Sequence, residues 1–145
     1  MANDHICVFC GEKVGVFRST SVFCADTHQT CCKNCAEELR TLSEEERCRR
    51  ALLLGHADQP EKLAERIELI TQAEEHRPVC LRCGAKLTFG HVQTLDNSPL
   101  RDGIFSDTFD VLPAYCESCG KMEFYHPDYV LKDKFISYLI RKDTQ

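Results

Sequence analysis

Apolar residues recur at helical spacing in several stretches of the chain. After "CKNC" the run "AEELRTL" sets Leu39 and Leu42 at i, i+3 among good helix formers, which predicts a helix starting near Cys35. Ser43 and Glu46 stand at capping-box spacing, so that helix is expected to break or bend there. "DQPEKLAERIELITQAEEH" repeats the relation with Asp58 and Glu61, carries Pro60 in its first turn, and places Leu63, Ile67 and Ile70 on one face; Arg77 and Pro78 end it. Residues 43–78 therefore read as a helical hairpin with Gly55 at its turn. Its stripe packs on the partner helix, on the preceding module, or on another molecule.

Further on the pattern changes. "KLTFGHVQTL", "FDVLPAY" and "KMEFYH" are rich in strand-forming residues, with "DNSP" and "RDG" marking a loop between the first two, which predicts a three-stranded sheet. In the tail "DYVLKDKFISYLIRK", Leu131, Phe135 and Tyr138 or Leu139 fall at helical spacing, and a short helix is expected over part of 128–145.

Composition adds one dominant fact: eleven of the 145 residues are cysteine. The start "MANDHICVFC" has neither a basic n-region nor an apolar h-region, and no stretch approaches the roughly 18 apolar residues of a membrane span. The expectation is a cytoplasmic protein without membrane contact. In a reducing cytosol paired cysteines serve as metal ligands more often than as disulfides, and an odd total leaves a thiol over in any disulfide scheme.

The spacing supports metal. Four C-x-x-C units fall two and two along the chain: Cys7 with Cys10, Cys32 with Cys35, Cys80 with Cys83, and Cys116 with Cys119. A C-x-x-C turn presents two sulfurs to one ion, and two such units close a tetrahedral four-thiolate zinc site. Three of the units run into glycine ("CVFCG", "CLRCG", "CESCG"), the zinc-knuckle pattern, in which a positive φ lets backbone N–H groups turn toward the sulfurs. "CKNC" instead leads into the predicted helix, where the positive end of the dipole favours a thiolate.

Knuckle, hairpin ("KVGVFRSTSVFC") and helix-borne ligands have the order of a treble clef; knuckle, strands and knuckle have the order of a zinc ribbon. Residues 7 to about 42, with "CxxCG-x-K-x-G", resemble a small treble-clef domain found at the head of uncharacterised bacterial proteins. Residues 80 to about 127, with "CLRCGAKL" and "YCESCGKMEFYHP", resemble the zinc ribbons often labelled nucleic-acid-binding. The expected fold is small, α+β and zinc-stabilised: a treble-clef-like module at 1–42, the helical hairpin at 43–78, the ribbon at 79–127 and the amphipathic tail at 128–145.

The remaining chemistry-bearing residues have bland readings beside sharp ones. Cys31 competes with Cys32, but would need a C-x3-C turn, so the spacing selects Cys32. Cys24, His28 and Cys31 in "CADTHQTC" either hold a further ion, with His5 as a helper, or lie beside the first site without binding metal. Cys48 in "EEERCRRALLL" reads as a small helix-face residue rather than a reactive thiol. His91 and His126 read as ordinary surface or core histidines, since four cysteines leave the second ion no vacancy.

Charge bears on the partner. The formal net charge is −5, and two closed four-thiolate Zn²⁺ sites take it to about −9. Nucleic acid is disfavoured as a partner unless a basic stripe gathers on one face; "RCRR" and the terminal "KDK…RK" are the candidates, and acids interrupt both. The sequence reads as a non-catalytic interaction or adaptor protein with two structural zinc ions, an unidentified protein partner, and a homodimer through the hairpin or tail as one form of that partner. A transcription-associated nucleic-acid binder is the alternative. A thiol redox switch, with "CKNC" in the position of a thioredoxin-type dithiol, comes after it. Hydrolytic zinc needs an open coordination position, which four cysteines deny.

Overall fold

The computed structural model describes residues 5–96 and 108–145. It divides into two compact units, Met1–Ile70 and Thr71–Gln145.

In the first unit, β1 (His5–Ile6) and β2 (Lys13–Val14) pair antiparallel around the "CVFCG" turn, and a single 3-10 turn at Val16–Arg18 leads into β3 (Ser19–Cys24). β3 pairs antiparallel with β4 (Thr27–Cys32) through the two-residue turn Ala25–Asp26, both at positive φ (50° and 58°). A two-residue hairpin loop with this handedness matches the right-handed twist of the strands it joins.

Strand alternation then sorts β4: Thr27, Gln29 and Cys31 are buried on one face, while His28, Thr30 and Cys32 lie on the other. Helix α1 (Lys33–Leu39) follows at once with Cys32 as its N-cap residue. Helix α2 (Glu44–Leu52) is capped by Ser43, whose Oγ accepts from the Glu46 N–H at 3.2 Å. Helix α3 (Pro60–Glu75) carries the boundary between the units.

Residues 43–70 are part of the first unit's body. Cys48 and Ala51 of α2 and Leu63 of α3 join Cys7, Val14, Val22, Cys24, Cys31 and Leu39 in one core, with Ile67 packed against it. Arg66 ties three elements together, pairing with Asp26 in the hairpin turn and with Glu44 at the start of α2. The Asp58 backbone ahead of α3 is clasped by the buried Gln29 amide, which donates to the Asp58 carbonyl at 2.8 Å and accepts from its N–H at 2.9 Å.

The second unit is built on β7 (Thr108–Tyr115), which pairs antiparallel with β5 (Thr88–Phe89), β6 (Gln93–Asp96) and β8 (Met122–Tyr125). The sheet thus has four strands where the sequence predicts three. The stretch "KLTFGHVQTL" is broken at 90–92, and the register on β7 shifts by one residue across the break, as in a β-bulge. The cause is Pro113 in β7. A Cβ at Gly90 would stand 3.0 Å from the proline ring, and the Gly90 N–H donates to the Pro113 carbonyl at 2.8 Å. A proline inside a sheet is tolerated beside such an irregularity. Of the predicted "DNSP" and "RDG" loop, residues 97–103 lie outside the described residues.

The tail forms two helices, α4 (Pro127–Val130) and α5 (Lys134–Asp143), the latter capped by Asp133, which accepts from the Phe135 and Ile136 N–H groups. Tyr138, Leu139 and Ile140 of α5 are buried in this unit, as are Leu87, Phe89, Leu112 and Ala114. Arg77 and Asp143, both nearly sealed from solvent, form an ion pair at 2.6 Å, and Asp143 also accepts from the Phe89 N–H at 2.9 Å. This network fixes α5 against β5. Among the described residues no helix is long and apolar enough to cross a membrane.

Candidate metal centres

Each unit gathers four cysteine sulfurs. Cys7, Cys10, Cys32 and Cys35 form one group and Cys80, Cys83, Cys116 and Cys119 the other; within each group all sulfurs lie within 4.8 Å of one another. No cysteine is in a disulfide.

Three of the four contributing turns share one backbone design. The N–H of the first cysteine donates to the carbonyl five residues on (Cys7 to Glu12 at 2.8 Å, Cys80 to Ala85 at 2.7 Å, Cys116 to Lys121 at 2.9 Å), and the glycine N–H donates back to that cysteine's carbonyl. The closure holds Gly11, Gly84 and Gly120 at φ of +75°, +74° and +70°, where a residue with a Cβ is strained. The interior N–H groups are thereby turned to the sulfurs: those of Phe9 and Cys10 face Cys7, and those of Arg82 and Cys83 face Cys80.

The fourth turn is different. Cys32 ends β4 and Cys35 sits in the first turn of α1, and the Cys32 N–H donates to Cys7 Sγ at 3.4 Å, which joins the two halves of the first centre.

The sulfur spacing fits a tetrahedral ion. At a zinc–sulfur distance of about 2.3 Å, two ligands of a regular tetrahedron stand about 3.8 Å apart. Cys10 and Cys32 are 3.9 Å apart, Cys80 and Cys119 3.6 Å, and Cys83 and Cys116 3.4 Å. A disulfide would require about 2.05 Å.

Electrostatics points the same way. Burial raises the Cys7 thiol, but N–H donors from Cys32, Phe9 and Cys10 outweigh it and bring the group down to about 7. Cys80 is likewise lowered to about 7, burial being overcome by the N–H groups of Arg82 and Cys83 and by the Cys119 and Cys83 thiols. Other members are driven up. An N–H from Ala85 favours the Cys83 thiolate, yet Cys116, burial, Cys119 and Cys80 together push it to about 12. Cys35 is raised by burial and then by Cys32, Cys10 and Cys7. Four sulfurs this close cannot all ionise on their own, and a divalent cation among them removes that conflict. Lys121, paired with Glu123 at 2.9 Å, adds a positive charge close to Cys80 and Cys119.

The residues weighed as extra ligands are not brought together. Cys24 and Cys31 are sealed in the core, whereas His28 lies on the opposite face of the hairpin, edge-on to Phe23 and 3.5 Å from Ser21 Oγ. Burial and then the neighbouring Cys7, Cys32 and Cys24 raise Cys31 to about 11, so it is a neutral thiol. His5 pairs in β1, His91 stands exposed at the bulge, and His126 packs edge-on against Tyr129. Among the described residues the two four-cysteine groups are the only clusters able to hold a metal ion.

One relationship carries no signal in the spacing. Cys24 at the end of β3 and Cys48 in the middle of α2 are buried in the same core. No family model, no curated protein and no solved structure matches the chain.

Proposed function

We propose that this protein is a non-catalytic interaction protein whose two units, one treble-clef-like and one ribbon-like, are each held by a structural zinc ion. The observation that carries the reading is the closure of both sulfur groups, four sulfurs apiece within 4.8 Å of one another. Cys7, Cys10, Cys32 and Cys35 would hold one ion, and Cys80, Cys83, Cys116 and Cys119 the other. Zn²⁺ bound there supplies charge neutralisation and a cross-link between distant segments, and four thiolates leave no position for a substrate or an activated water. Small units with thin cores need such a cross-link: structural zinc contributes an apparent ~10–16 kcal/mol. The same closure weighs against a working dithiol at Cys32 and Cys35, because Cys7 and Cys10 complete the set.

A protein partner is favoured over nucleic acid by the acidic balance and by the exposed side chains of the second unit's sheet. Tyr115 pairs with Met122 and Pro113 with Phe124, so Tyr115, Met122 and Phe124 share one solvent-facing side. The metal content of the purified chain, followed through chelation, tests the reading. Two zinc ions per chain, removed with loss of the circular dichroism spectrum and of cooperative melting, are expected. A metal-free chain with native spectrum and melting temperature overturns it. Retention on DNA, RNA and cell protein at graded salt decides the partner class, since binding to phosphates falls steeply with salt.

A further inference from the structure

Among the described residues, β8 (Met122–Tyr125) is paired along one side only, with β7. Which of its backbone groups are left over follows from Pro113. The Gly90 N–H donates to the Pro113 carbonyl at 2.8 Å, so Pro113 turns its backbone toward the β5 side. Successive residues of an antiparallel strand turn their N–H and C=O groups to opposite sides, so Leu112 and Ala114 turn theirs toward β8. The register gives these groups to Tyr125 and Glu123, and the Cys116 N–H continues the ladder to the Lys121 carbonyl at 2.9 Å. Met122 and Phe124 therefore point their N–H and C=O groups outward, where no described strand lies. This free edge is bounded at both ends. The Gly120 N–H donates to the Cys116 carbonyl, and the His126 carbonyl accepts from Tyr129 and Val130 at the start of α4.

The side chains at the two free positions are open as well, Met122 being 55% and Phe124 57% exposed. An edge with unpaired main-chain groups and exposed apolar side chains is a template for one more strand. We infer that the outer edge of β8 takes up an extended segment of a partner protein as a fifth, antiparallel strand, with a basic residue opposite Glu123 and an apolar residue on each side of it.

The pleat sets the pattern. The residues flanking the basic one oppose Met122 and Phe124, exchange hydrogen bonds with them, and stand on the solvent-facing side with Tyr115. Charge selects the occupant. A second copy of this chain that used the same free groups would pair about Glu123, with the copy's Phe124 opposite Met122. Glu123 would then face the copy's Glu123, a like-charge pair at the closer of the two cross-strand spacings. Lys121 balances Glu123 within the strand, their groups 2.9 Å apart. The Cys116–Cys119 turn directly ahead of β8 belongs to a centre with a net charge of about −2 when four thiolates hold Zn²⁺. The inference rests on the structural-zinc reading for that charge. The edge is thus negative overall, and the chain's net charge of −5 draws a basic segment from a distance.

The test uses the zinc-loaded, isotope-labelled full chain and an end-capped Thr-Thr-Val-Lys-Val-Thr-Thr peptide at low salt. The peptide is expected to slow amide exchange at the Met122 and Phe124 N–H groups and to shift their resonances saturably. N-methylation of the two peptide valines removes the N–H groups that face β8 and abolishes both effects. Glutamate in place of the peptide lysine weakens binding by roughly three- to tenfold. These comparisons alter only the peptide, so no variant of the protein has to fold. No binding at millimolar peptide, or an affinity that neither N-methylation nor glutamate changes, overturns the inference. So does slow exchange at Met122 and Phe124 without peptide that depends on protein concentration, which would make a second copy the occupant. Zinc is counted in the same sample: two ions per folded chain without peptide binding would sink the docking edge and leave the structural-zinc reading standing.

Discussion

Cys31 and Cys32 are neighbours in β4 and face opposite ways: Cys31 is sealed in the core, while Cys32 completes the first four-cysteine group and its N–H donates to Cys7 Sγ. A strand turns successive side chains to opposite faces, so one residue of register decides which thiol joins the four-cysteine group. Cys32→Ser is expected to lose the first unit's zinc and its cooperative unfolding, with the second unit's zinc retained. Cys31→Ala keeps both ions and costs about 1 kcal/mol for a small cavity. Zinc content and urea unfolding of the two variants check this, and equal zinc loss in both would refute the facing assignment.

The knuckle glycines separate backbone strain from crowding. A Cβ at Gly84 meets nothing within 4 Å, yet φ is +74°, so the cost of Gly84→Ala is purely conformational, about 1 kcal/mol. Gly15→Ala is the control, because φ there is −62° and the space is equally open; a change within about 0.5 kcal/mol is expected. Urea midpoints of both variants with zinc bound give the comparison.

The two four-cysteine groups were legible because C-x-x-C spacing is local: such a turn specifies itself within five residues, and the glycine behind it reports the backbone angle. The helix starts at Ser43 and Pro60 were legible for the same reason, through a cap and a proline. What escaped the sequence is non-local. The break at Gly90 depends on Pro113 across the sheet, and the burial of Cys24 and Cys48 in one core depends on how α2 lies on the hairpin. Cys48 was readable as a small helix-face residue, but no periodicity names the core it joins.

Gln29 shows how a buried polar group is justified by the chain it holds. Its amide is fully buried and donates to Thr27 Oγ1 at 2.8 Å as well as clasping both backbone groups of Asp58. Gln29→Ala leaves those groups without partners and opens a cavity, at a cost of about 2–4 kcal/mol. Gln29→Glu keeps the volume but removes the donor facing the Asp58 carbonyl and buries a charge, so it is expected to be no better than alanine at pH 7. Amide exchange at the Asp58 N–H should quicken in both variants, and an unchanged rate would show that the clasp does not hold this segment.

The ion network of the second unit makes its stability depend on pH in a stated direction. Glu74 accepts from Arg77 and Lys142 and, with burial opposing, its carboxyl is lowered from 4.5 to about 2. A group whose folded pKa lies below its unfolded value contributes fully above the unfolded value and loses that contribution as pH falls toward the folded one. Glu74→Gln should therefore cost on the order of 2 kcal/mol between pH 5 and 7, after allowance for screening at a partly exposed site. The gap to wild type should narrow as pH drops below about 4.5. Acid also strips thiolate-bound metal, but that loss is common to both proteins and cancels in the difference. Paired urea titrations, taken down to the lowest pH at which both proteins still unfold cooperatively, measure it. A gap that widened on acidification would mean that Glu74 is not the anion holding Arg77 and Lys142 in place.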